Sequence, residues 1–300
     1  MKRLISIIGT TGIGKTRLAI DLANHLDTEI ISCDSRQFYR EMKIGTAMPT
    51  ESELAEAKHH FVGNLSIYDY YSIGLYEHEA LEKLDEIFSK KNVAIIVGGS
   101  GMYEKAVTEG LNDLPEADLE NQKKLIHIFE NQGIQPLQKL LAELDPDYFS
   151  IVDKDNSRRL LRAIDVIWQT GKSYTENLSL PKPKRDFETV RIGIDAPREV
   201  IYERINRRVD IMMENGLLEE AKGLLSDRDK VALQTVGYSE LFRYFDGEWD
   251  LDFAVSEIKK NSRRYAKRQM TWNRKLENVN WVNYDNSLEE ALSLSLNRPM

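Results

Sequence analysis

The first hundred residues alternate short apolar runs with amphipathic stretches. Apolar runs at 4–8, 29–35 and 93–97 predict buried strands. After Lys15, residues 16–26 place leucines on one helical face and predict an amphipathic helix. Strands that alternate with helices are typical of a mostly parallel sheet covered on both faces. We therefore predict an α/β fold of three layers.

The pattern changes near Asn112, where apolar runs of the strand type stop. The following residues have helical spacing as far as a segment at 180–186, which contains two prolines and clustered charges and indicates a connection. A helical insertion is the simplest explanation. We therefore predict an insertion domain of residues 113–187 within a core that residues 1–112 and 188–300 form together.

The chain after the insertion combines one strand with a basic, mainly helical remainder. Residues 190–196 alternate like a strand, and the helix that follows is predicted to end at Gly216. The net charge of the whole chain is −8, which argues against a polyanionic partner. Between Glu257 and Glu277, however, the chain has eight Lys or Arg and no acid. This basic run predicts either a solvated helix face or a phosphate-binding surface.

Composition restricts the class of protein. With 41% hydrophobic and 30% charged residues in 300 positions, the chain is typical of a soluble globular protein. No apolar stretch approaches the roughly 18 residues of a membrane span, and the first run is too short for a signal peptide. We expect a cytoplasmic protein that is a monomer. A single cysteine, Cys33, excludes an internal disulfide and a cysteine-based zinc finger within the chain, and it predicts a buried free thiol.

A phosphate-loop motif follows the first predicted strand. The pattern G-x-x-x-x-G-K-[ST] is met by Gly9, Thr10, Thr11, Gly12, Ile13, Gly14, Lys15 and Thr16. Backbone N–H groups of such a loop converge on an anion, and the helix that follows adds its positive end. Lys15 contributes a full charge, and the Thr16 hydroxyl can bind Mg²⁺. The motif predicts that this loop binds a pyrophosphate group.

The motif does not by itself identify the ligand. In many phosphate-loop enzymes an acid at a strand end holds Mg²⁺, but the strand at 93–97 ends in the sequence Gly-Gly-Ser-Gly. The N-K-x-D segment of GTPases is also absent from the chain. The strand that does end in an acid leads to Asp34, at the sheet edge where open α/β folds bind ligands. Asp34 is either a proton acceptor or a turn cap.

Several segments of the chain resemble the tRNA dimethylallyltransferase (tRNA isopentenyltransferase) family. The phosphate loop, residues 34–39 and residues 44–47 carry the resemblance. Further segments agree in the same order along the chain: His59–His60 and residues 98–103, 144–166, 203–216, 234–238 and 264–269. Each of these is weak alone, but their order is specific. The resemblance extends to about Lys275.

The resemblance implies a reaction and a set of roles. A dimethylallyl group would pass from dimethylallyl pyrophosphate to N6 of the tRNA adenosine at position 37, beside the anticodon. Asp34 would take the N6 proton, and the Ser100 hydroxyl would lie beside the same channel. Lys15, Thr16 with Mg²⁺, and Arg208 would hold the pyrophosphate.

The resemblance also implies where the tRNA anticodon stem-loop binds. A base turned out of its stack would be bound by the segment after the second strand, and the insertion and the C-terminal helices would make further contacts. The predicted contact residues are Asp34, Ser35, Arg36, Gln37, Ser100, Gln122, Arg158, Arg159, Leu160, Leu161, Arg162, Gln234, Thr235, Val236, Gly237, Tyr238, Arg264, Lys267 and Arg268. His59 and His60 are interpreted as structural or RNA-facing, because no third ligand stands at metal spacing nearby.

The chain departs from the family pattern at a few positions. Met48 stands where many members have Lys, and Gln122 where many have Arg; both changes remove charge and predict altered tRNA binding. Ser100 and Ser262 replace Thr, and Ser100 keeps the hydroxyl predicted at the channel. The lone cysteine excludes the zinc finger of eukaryotic members, so the chain is predicted to be of the bacterial type.

Three alternative functions remain open from the sequence. The first is a relative that prenylates free adenine nucleotides, for which the insertion and the basic run would be superfluous. The second is a small-molecule kinase with the insertion as a lid, which would consume ATP. The third is a non-catalytic RNA-binding switch that senses a nucleotide through the phosphate loop.

Overall fold

One parallel sheet forms the centre of the larger part of the protein. The computed structural model describes residues 2–296, with every side chain among them up to residue 295. The strands are β1 (Arg3–Ile8), β2 (Ile30–Ser32), β3 (His59–His60), β4 (Val93–Val97), β5 (Glu188–Asp195) and β6 (Val279–Asn283). They lie in the order β3-β2-β4-β1-β5-β6, and every neighbouring pair is parallel. The predicted α/β class with a mostly parallel sheet is confirmed.

Helices account for most of the remaining described residues. They are α1 (Lys15–Leu26), α2 (Glu51–Glu56), α3 (Ile73–Phe88), α4 (Gly101–Glu109), α5 (Leu119–Gln132), α6 (Gln135–Leu144), α7 (Pro146–Ile151), α8 (Ser157–Thr170), α9 (Tyr174–Ser179), α10 (Arg198–Glu214), α11 (Leu217–Gly223), α12 (Tyr238–Phe245), α13 (Leu251–Asn273) and α14 (Ser287–Leu296).

The three predicted layers follow from alternation along the strands. Ile5 and Ile95 face a cluster that includes residues of α1, α10, α13 and α14. Leu4 and Ile96 face the opposite cluster, which includes residues of α3 and α4. The strand interiors are therefore apolar on both faces, which is why they appear in the sequence as continuous apolar runs. The predicted free thiol, Cys33, is buried in the second cluster.

Two strands were not predicted. β6 pairs with β5 in parallel, although the C-terminal remainder was predicted to be mainly helical. β6 lies at the edge of the sheet and has only one buried position, so its sequence lacks the apolar run of an interior strand. The ring of Trp281 covers Gly193 so closely that a Cβ there would lie 2.6 Å from it. β3 is only two residues long, and a pattern of period two cannot be recognised over that length.

The helical insertion forms a compact unit of its own. This unit comprises residues 109–184, whereas the sequence predicted an insertion of residues 113–187. Its core is a cluster of leucines and isoleucines from α5, α6 and α8, with Leu125, Leu141 and Ile164 fully buried. Asp145 caps α7 through a hydrogen bond from Tyr148 N (2.9 Å), and it also accepts one from Thr175 N (2.7 Å). No helix within residues 2–296 is long and apolar enough to cross a membrane.

Candidate active site

The phosphate loop lies at the carboxyl end of β1 and leads into α1. Gly12 and Gly14 have positive φ values of 79° and 108°, a region that side chains rarely adopt, so glycine is needed at both turns of the loop. Lys15 Nζ donates to the carbonyl of Thr10 at 2.8 Å, which folds the ammonium back over the loop. The loop therefore has the shape that an anion requires, with its cation in place.

A cavity of about 60 Å³ opens directly from this loop. Thr11, Lys15, Thr16, Asp34 and Arg208 are among its lining residues. Burial lowers the pKa of Lys15 to about 8, although the Asp34 carboxylate opposes this shift. Burial likewise lowers the pKa of Arg208, again opposed by Asp34. The structure thus gathers two cations, one carboxylate and a phosphate loop around a single small cavity.

A second cavity, of about 510 Å³, adjoins the first. The residues that line both cavities are Thr11, Asp34, Thr46, Arg208 and Tyr265. Arg208 reaches toward Thr11 Oγ1 (3.5 Å) and the carbonyl of Ala47 (3.4 Å), both at the long limit for hydrogen bonds. Its donors are therefore weakly engaged and available to an anion. Asp34 and Arg208 lie where a group held by the phosphate loop would meet a molecule in the larger cavity.

Asp34 caps a turn and also lines both cavities, and its role as proton acceptor stays a prediction. Its Oδ1 accepts a hydrogen bond from Arg36 N at 3.2 Å, which caps the turn after β2. Its Oδ2 lies beside Gly99, because a Cβ on that glycine would be only 3.0 Å from it. A Cβ on Gly98 would be 2.5 Å from the backbone of Cys33. The glycines after β4 therefore let the ends of β2 and β4 approach, and they leave the Asp34 carboxylate at the cavity.

Ser100 has a defined partner in the structure. Its hydroxyl accepts a hydrogen bond from Ser35 N at 3.0 Å and lies 2.9 Å from Ser35 Oγ. Ser100 is not among the described residues that line the two cavities. In this conformation the hydroxyl holds the segment that carries Asp34, and its predicted place beside the reacting groups stays a prediction.

Gln269 and Tyr265 belong to the site, although they were not predicted as site residues. The buried Gln269 accepts from Thr11 N (2.8 Å) and donates to the carbonyl of Gly99 (2.9 Å). The Tyr265 hydroxyl donates to the same carbonyl at 3.2 Å. Burial, together with the nearby Asp34, raises the pKa of Tyr265 to about 12, so the hydroxyl stays protonated. Gln269 thus ties the phosphate loop to the glycines that support Asp34.

Replacing Gln269 by methionine tests this tie. The change leaves the Thr11 N–H without its partner and the Gly99 carbonyl with the Tyr265 hydroxyl as its side-chain donor. The free energy of unfolding should therefore fall by about 1–3 kcal/mol. We predict that kcat for transfer to tRNA also falls, up to about 100-fold, because small displacements of reacting groups are costly. Unfolding by urea and steady-state kinetics measure the two effects. Thr271→Met, on the exposed face of the same helix, is the control; a kcat equal to the control would restrict Gln269 to stability.

Most of the predicted RNA contacts of the core border the larger cavity. They are Asp34, Ser35, Arg36, Gln234, Thr235, Val236, Gly237 and Arg268. Gln37 lines the smaller cavity, and Arg264 and Lys267 are exposed on α13. The Arg36 guanidinium also donates to the carbonyls of Val231 and Ala232, both at 3.0 Å, and so fixes the segment before Gln234.

Tyr238 differs from its prediction as a contact residue. The side chain is fully buried, and its hydroxyl donates to Glu220 Oε1 at 2.6 Å. Glu220 also accepts hydrogen bonds from Ile44 N and Gly45 N, and a Cβ on Gly45 would meet the Tyr238 ring at 2.6 Å. Tyr238 therefore anchors the 44–47 loop from inside the core, and its side chain does not face a partner in this conformation.

The predicted RNA contacts in the insertion likewise include both buried and exposed side chains. Leu160 is fully buried and Leu161 is partly buried in the core of this unit, where their side chains pack inward. Arg162 donates to the carbonyl of Pro115 at 2.6 Å. Arg158 and Arg159 are exposed, and Gln122 is half-buried in the first turn of α5. α8 has arginines on its exposed side and leucines on its buried side, so one sequence motif includes both kinds of residue.

Two substitutions on α8 separate these roles. Leu160→Ala should lower the stability of the insertion by about 2–5 kcal/mol, because it leaves a cavity in the core. Arg159→Gln should change stability by less than about 0.5 kcal/mol, since the side chain is exposed, and it should weaken binding of an anticodon stem-loop. Thermal unfolding and fluorescence anisotropy measure these effects. Equal RNA affinity of Arg159→Gln and the parent would contradict the predicted contact.

The histidine pair makes local contacts in the structure, and His59 also lines the smaller cavity. His60 Nε2 lies 2.6 Å from Glu29 Oε2, and His59 Nδ1 lies 2.7 Å from the carbonyl of Ala57. Both residues form β3 at the edge of the sheet. Within residues 2–296 no group of three His, Cys, Asp or Glu side chains is arranged to hold a metal ion.

The fold and the site define a phosphate-loop α/β protein in which one carboxylate lines both the phosphate-loop cavity and a second, larger cavity. A model of the IPP transferase family matches residues 37–276. The tRNA dimethylallyltransferase of Christiangramia forsetii is 53% identical over 282 residues, which are 94% of this chain and 93% of that protein. The chain therefore belongs to the IPP transferase (tRNA dimethylallyltransferase) family, and the resemblance predicted from its motifs is confirmed.

Solved structures agree with this assignment. The tRNA isopentenylpyrophosphate transferase of Bacillus halodurans is 34% identical with a TM-score of 0.70, and the match covers 99% of this chain and 100% of that one. A eukaryotic dimethylallyltransferase solved while acting on tRNA has a TM-score of 0.87 at 24% identity, covering 100% of this chain and 81% of that one. At that identity the second likeness supports the fold.

Proposed function

We propose that the protein transfers a dimethylallyl group from dimethylallyl pyrophosphate to N6 of the adenosine at tRNA position 37. The observation that carries the proposal is the position of Asp34 and Arg208, which line both the phosphate-loop cavity and the larger cavity. A donor diphosphate in the loop and an adenine in the larger cavity would meet between these two side chains. The names of the relatives support the same donor and acceptor.

The proposed reaction assigns a step to each group. The N6 amine attacks the first carbon of the dimethylallyl group, the carbon–oxygen bond breaks, and pyrophosphate leaves. Asp34 takes the proton from N6, and Lys15 and Arg208 stabilise the charge that develops on the leaving group. Because an exocyclic amine is a weak nucleophile, stabilisation of the leaving group supplies much of the rate.

Mg²⁺ is the proposed cofactor, and the donor set fits it. Mg²⁺ prefers oxygen ligands and is commonly held by one or two protein groups together with substrate phosphates. Thr16 lines the phosphate-loop cavity and would contribute its hydroxyl, and a bound pyrophosphate would contribute the other oxygens. The ion would neutralise charge on the diphosphate. A site with few protein ligands is consistent with the absence of an acidic cluster among residues 2–296.

The acceptor is proposed to be an unpaired base of a tRNA anticodon loop. A base must leave its stack to enter a cavity, and unpaired loop bases do so at least cost. The exposed Arg264, Lys267 and Arg268 on α13 and the exposed Arg158 and Arg159 on α8 offer contacts to phosphates. We further propose that the protein acts as a cytoplasmic monomer.

A transfer assay with two acceptors tests the proposal. The protein is incubated with labelled dimethylallyl pyrophosphate, Mg²⁺ and either unmodified tRNA with adjacent adenosines in its anticodon loop or AMP. Label should enter the tRNA and not AMP, and it should map to position 37. Faster transfer to AMP would identify a free-nucleotide prenyltransferase, and no label in either acceptor would reject prenyl transfer. ATP consumption in a parallel assay would indicate a kinase.

A further inference from the structure

A third cavity, of about 200 Å³, lies on a different face of α13 from the reaction cavities. It is lined by Thr10, Ala196, Arg198, Ile201, Tyr202, Ala266, Lys267, Met270 and Arg274. None of these residues lines the two cavities of the candidate active site. On α13, Ser262 and Tyr265 face the larger reaction cavity, whereas Lys267 and Met270 face the third. It is therefore a separate pocket beside the phosphate loop.

The charged side chains that line this pocket are all positive. Arg198, Lys267 and Arg274 are its charged lining residues, all three are exposed, and no acid lines it. In the described part of the chain none of the three side chains is engaged in an ion pair. The protein as a whole is acidic, with a net charge of −8, whereas the charged residues that line this pocket are three cations. A concave, cationic surface concentrates anions.

A buried hydroxyl inside the pocket also lacks a partner. Thr10 is 2% exposed, and its Oγ1 makes no hydrogen bond. A buried hydroxyl without a partner is unfavourable, and an oxygen of a ligand that reached it would supply the missing hydrogen bond. The carbonyl of the same residue holds the Lys15 ammonium. Thr10 therefore lines the third pocket and also contacts the lysine of the phosphate loop.

The remaining walls are apolar. Ile201, Tyr202, Ala266, Met270 and Ala196 form them. Inorganic phosphate alone would leave this surface uncovered, whereas a ligand with a small apolar or aromatic body would cover it. The pocket thus combines a cationic rim, a lining threonine whose hydroxyl has no partner, and an apolar wall with an aromatic ring. This combination suits the recognition of a nucleotide.

We propose that this pocket is a second phosphate-binding site, which takes a phosphate group carried by a small aromatic body. Two sources offer that chemistry: a free nucleotide, or a nucleotide of the bound RNA. The pocket shares no residue with the reaction cavities, so a free nucleotide there would be independent of prenyl transfer. The RNA source rests on the proposed tRNA acceptor, of which Lys267 is a predicted contact.

Binding measurements on a double variant test the proposal and distinguish the sources. Arg198→Gln combined with Arg274→Gln removes two of the three cations at exposed positions and should not affect folding, which circular dichroism verifies. Lys90→Gln combined with Lys222→Gln removes the same charge at exposed positions elsewhere and is the matched control. Equilibrium dialysis of AMP and salt-dependent binding of an anticodon stem-loop RNA are measured for both variants and the parent.

If the pocket takes a free nucleotide, the parent and the control should each bind AMP at this site. The affinity of the Arg198/Arg274 variant for AMP at this site should be at least tenfold lower. If it takes an RNA nucleotide, AMP binding should be the same in all three proteins. The slope of log Kd against log salt should then fall by about one for the Arg198/Arg274 variant alone. Identical AMP binding together with identical RNA salt slopes in variant and control would overturn the proposal.

Discussion

Asp34→Ala should lower the rate of transfer to tRNA by about 10²–10⁴-fold, the usual contribution of a positioned general base. The same variant should bind pyrophosphate as well as the parent or more tightly, because the carboxylate faces a cavity that an anion is proposed to occupy. Removing the negative charge of Asp34 beside Lys15 and Arg208 reduces the electrostatic repulsion between the protein and the bound pyrophosphate. Single-turnover transfer and calorimetric titration with pyrophosphate measure the two quantities.

The matched control for this prediction is Asp34→Asn. Asparagine keeps an oxygen that can accept the hydrogen bond from Arg36 N, so the turn cap survives while the proton acceptor is lost. If Asp34 is the base, the rate of transfer should therefore fall to a similar extent in both variants. If Asp34→Asn retains transfer while Asp34→Ala loses it, the residue acts as a cap only. Parallel loss of pyrophosphate binding and transfer in both variants would also contradict the role of base.

The second large effect is expected from pH acting on Lys15. Burial lowers the pKa of this ammonium to about 8 in the free protein, so the charge is present below that pH and is lost above it. A bound diphosphate favours the charged form, and binding above pH 8 must therefore take up a proton. We predict that affinity for dimethylallyl pyrophosphate is constant from about pH 6.5 to 7.5. Above pH 8 the contribution of Lys15 should weaken by about tenfold for each further pH unit.

Lys15→Arg separates this titration from other effects of pH. A guanidinium stays protonated throughout the range, so the affinity of this variant should be lower at pH 7 but flat up to pH 9. Lys15→Met should lose most of the affinity at every pH, because its side chain has similar length and no charge. Titration calorimetry in buffers of different ionisation enthalpy reports the proton uptake directly. A parent profile as flat as that of Lys15→Arg would refute the assignment.

The phosphate loop and the interior strands were predictable because each produces a local signal. The loop has fixed spacing of glycines, Lys15 and Thr16, and the strands at 4–8 and 93–97 are apolar on both faces. The edge strand β6 was missed because an edge position needs only one buried side chain. The position of Asp34 at the sheet edge was also predictable, since the carboxyl ends of parallel strands meet at one edge.

Other features depend on contacts between residues that are distant in the sequence. Gln269 meets Thr11 across 258 positions, and no local pattern marks a glutamine on a helix as the partner of a loop. Leu160 and Tyr238 were predicted to touch RNA because they lie in family motifs, but both are fully buried. A motif includes the residues that hold a surface in place as well as those that form it, and only burial distinguishes the two.

The sequence by itself determined the α/β class, the phosphate loop, the family and a helical insertion. Each of these features is predicted by the local spacing of residues or by motifs in a specific order. The tertiary structure decided that Asp34, Arg208 and Tyr265 line both reaction cavities, that Ser100 holds Ser35, and that Thr10 borders a third pocket. The physical reason is that cavities and hydrogen-bond networks form where separate segments pack together, and packing of that kind leaves no periodic trace in the chain.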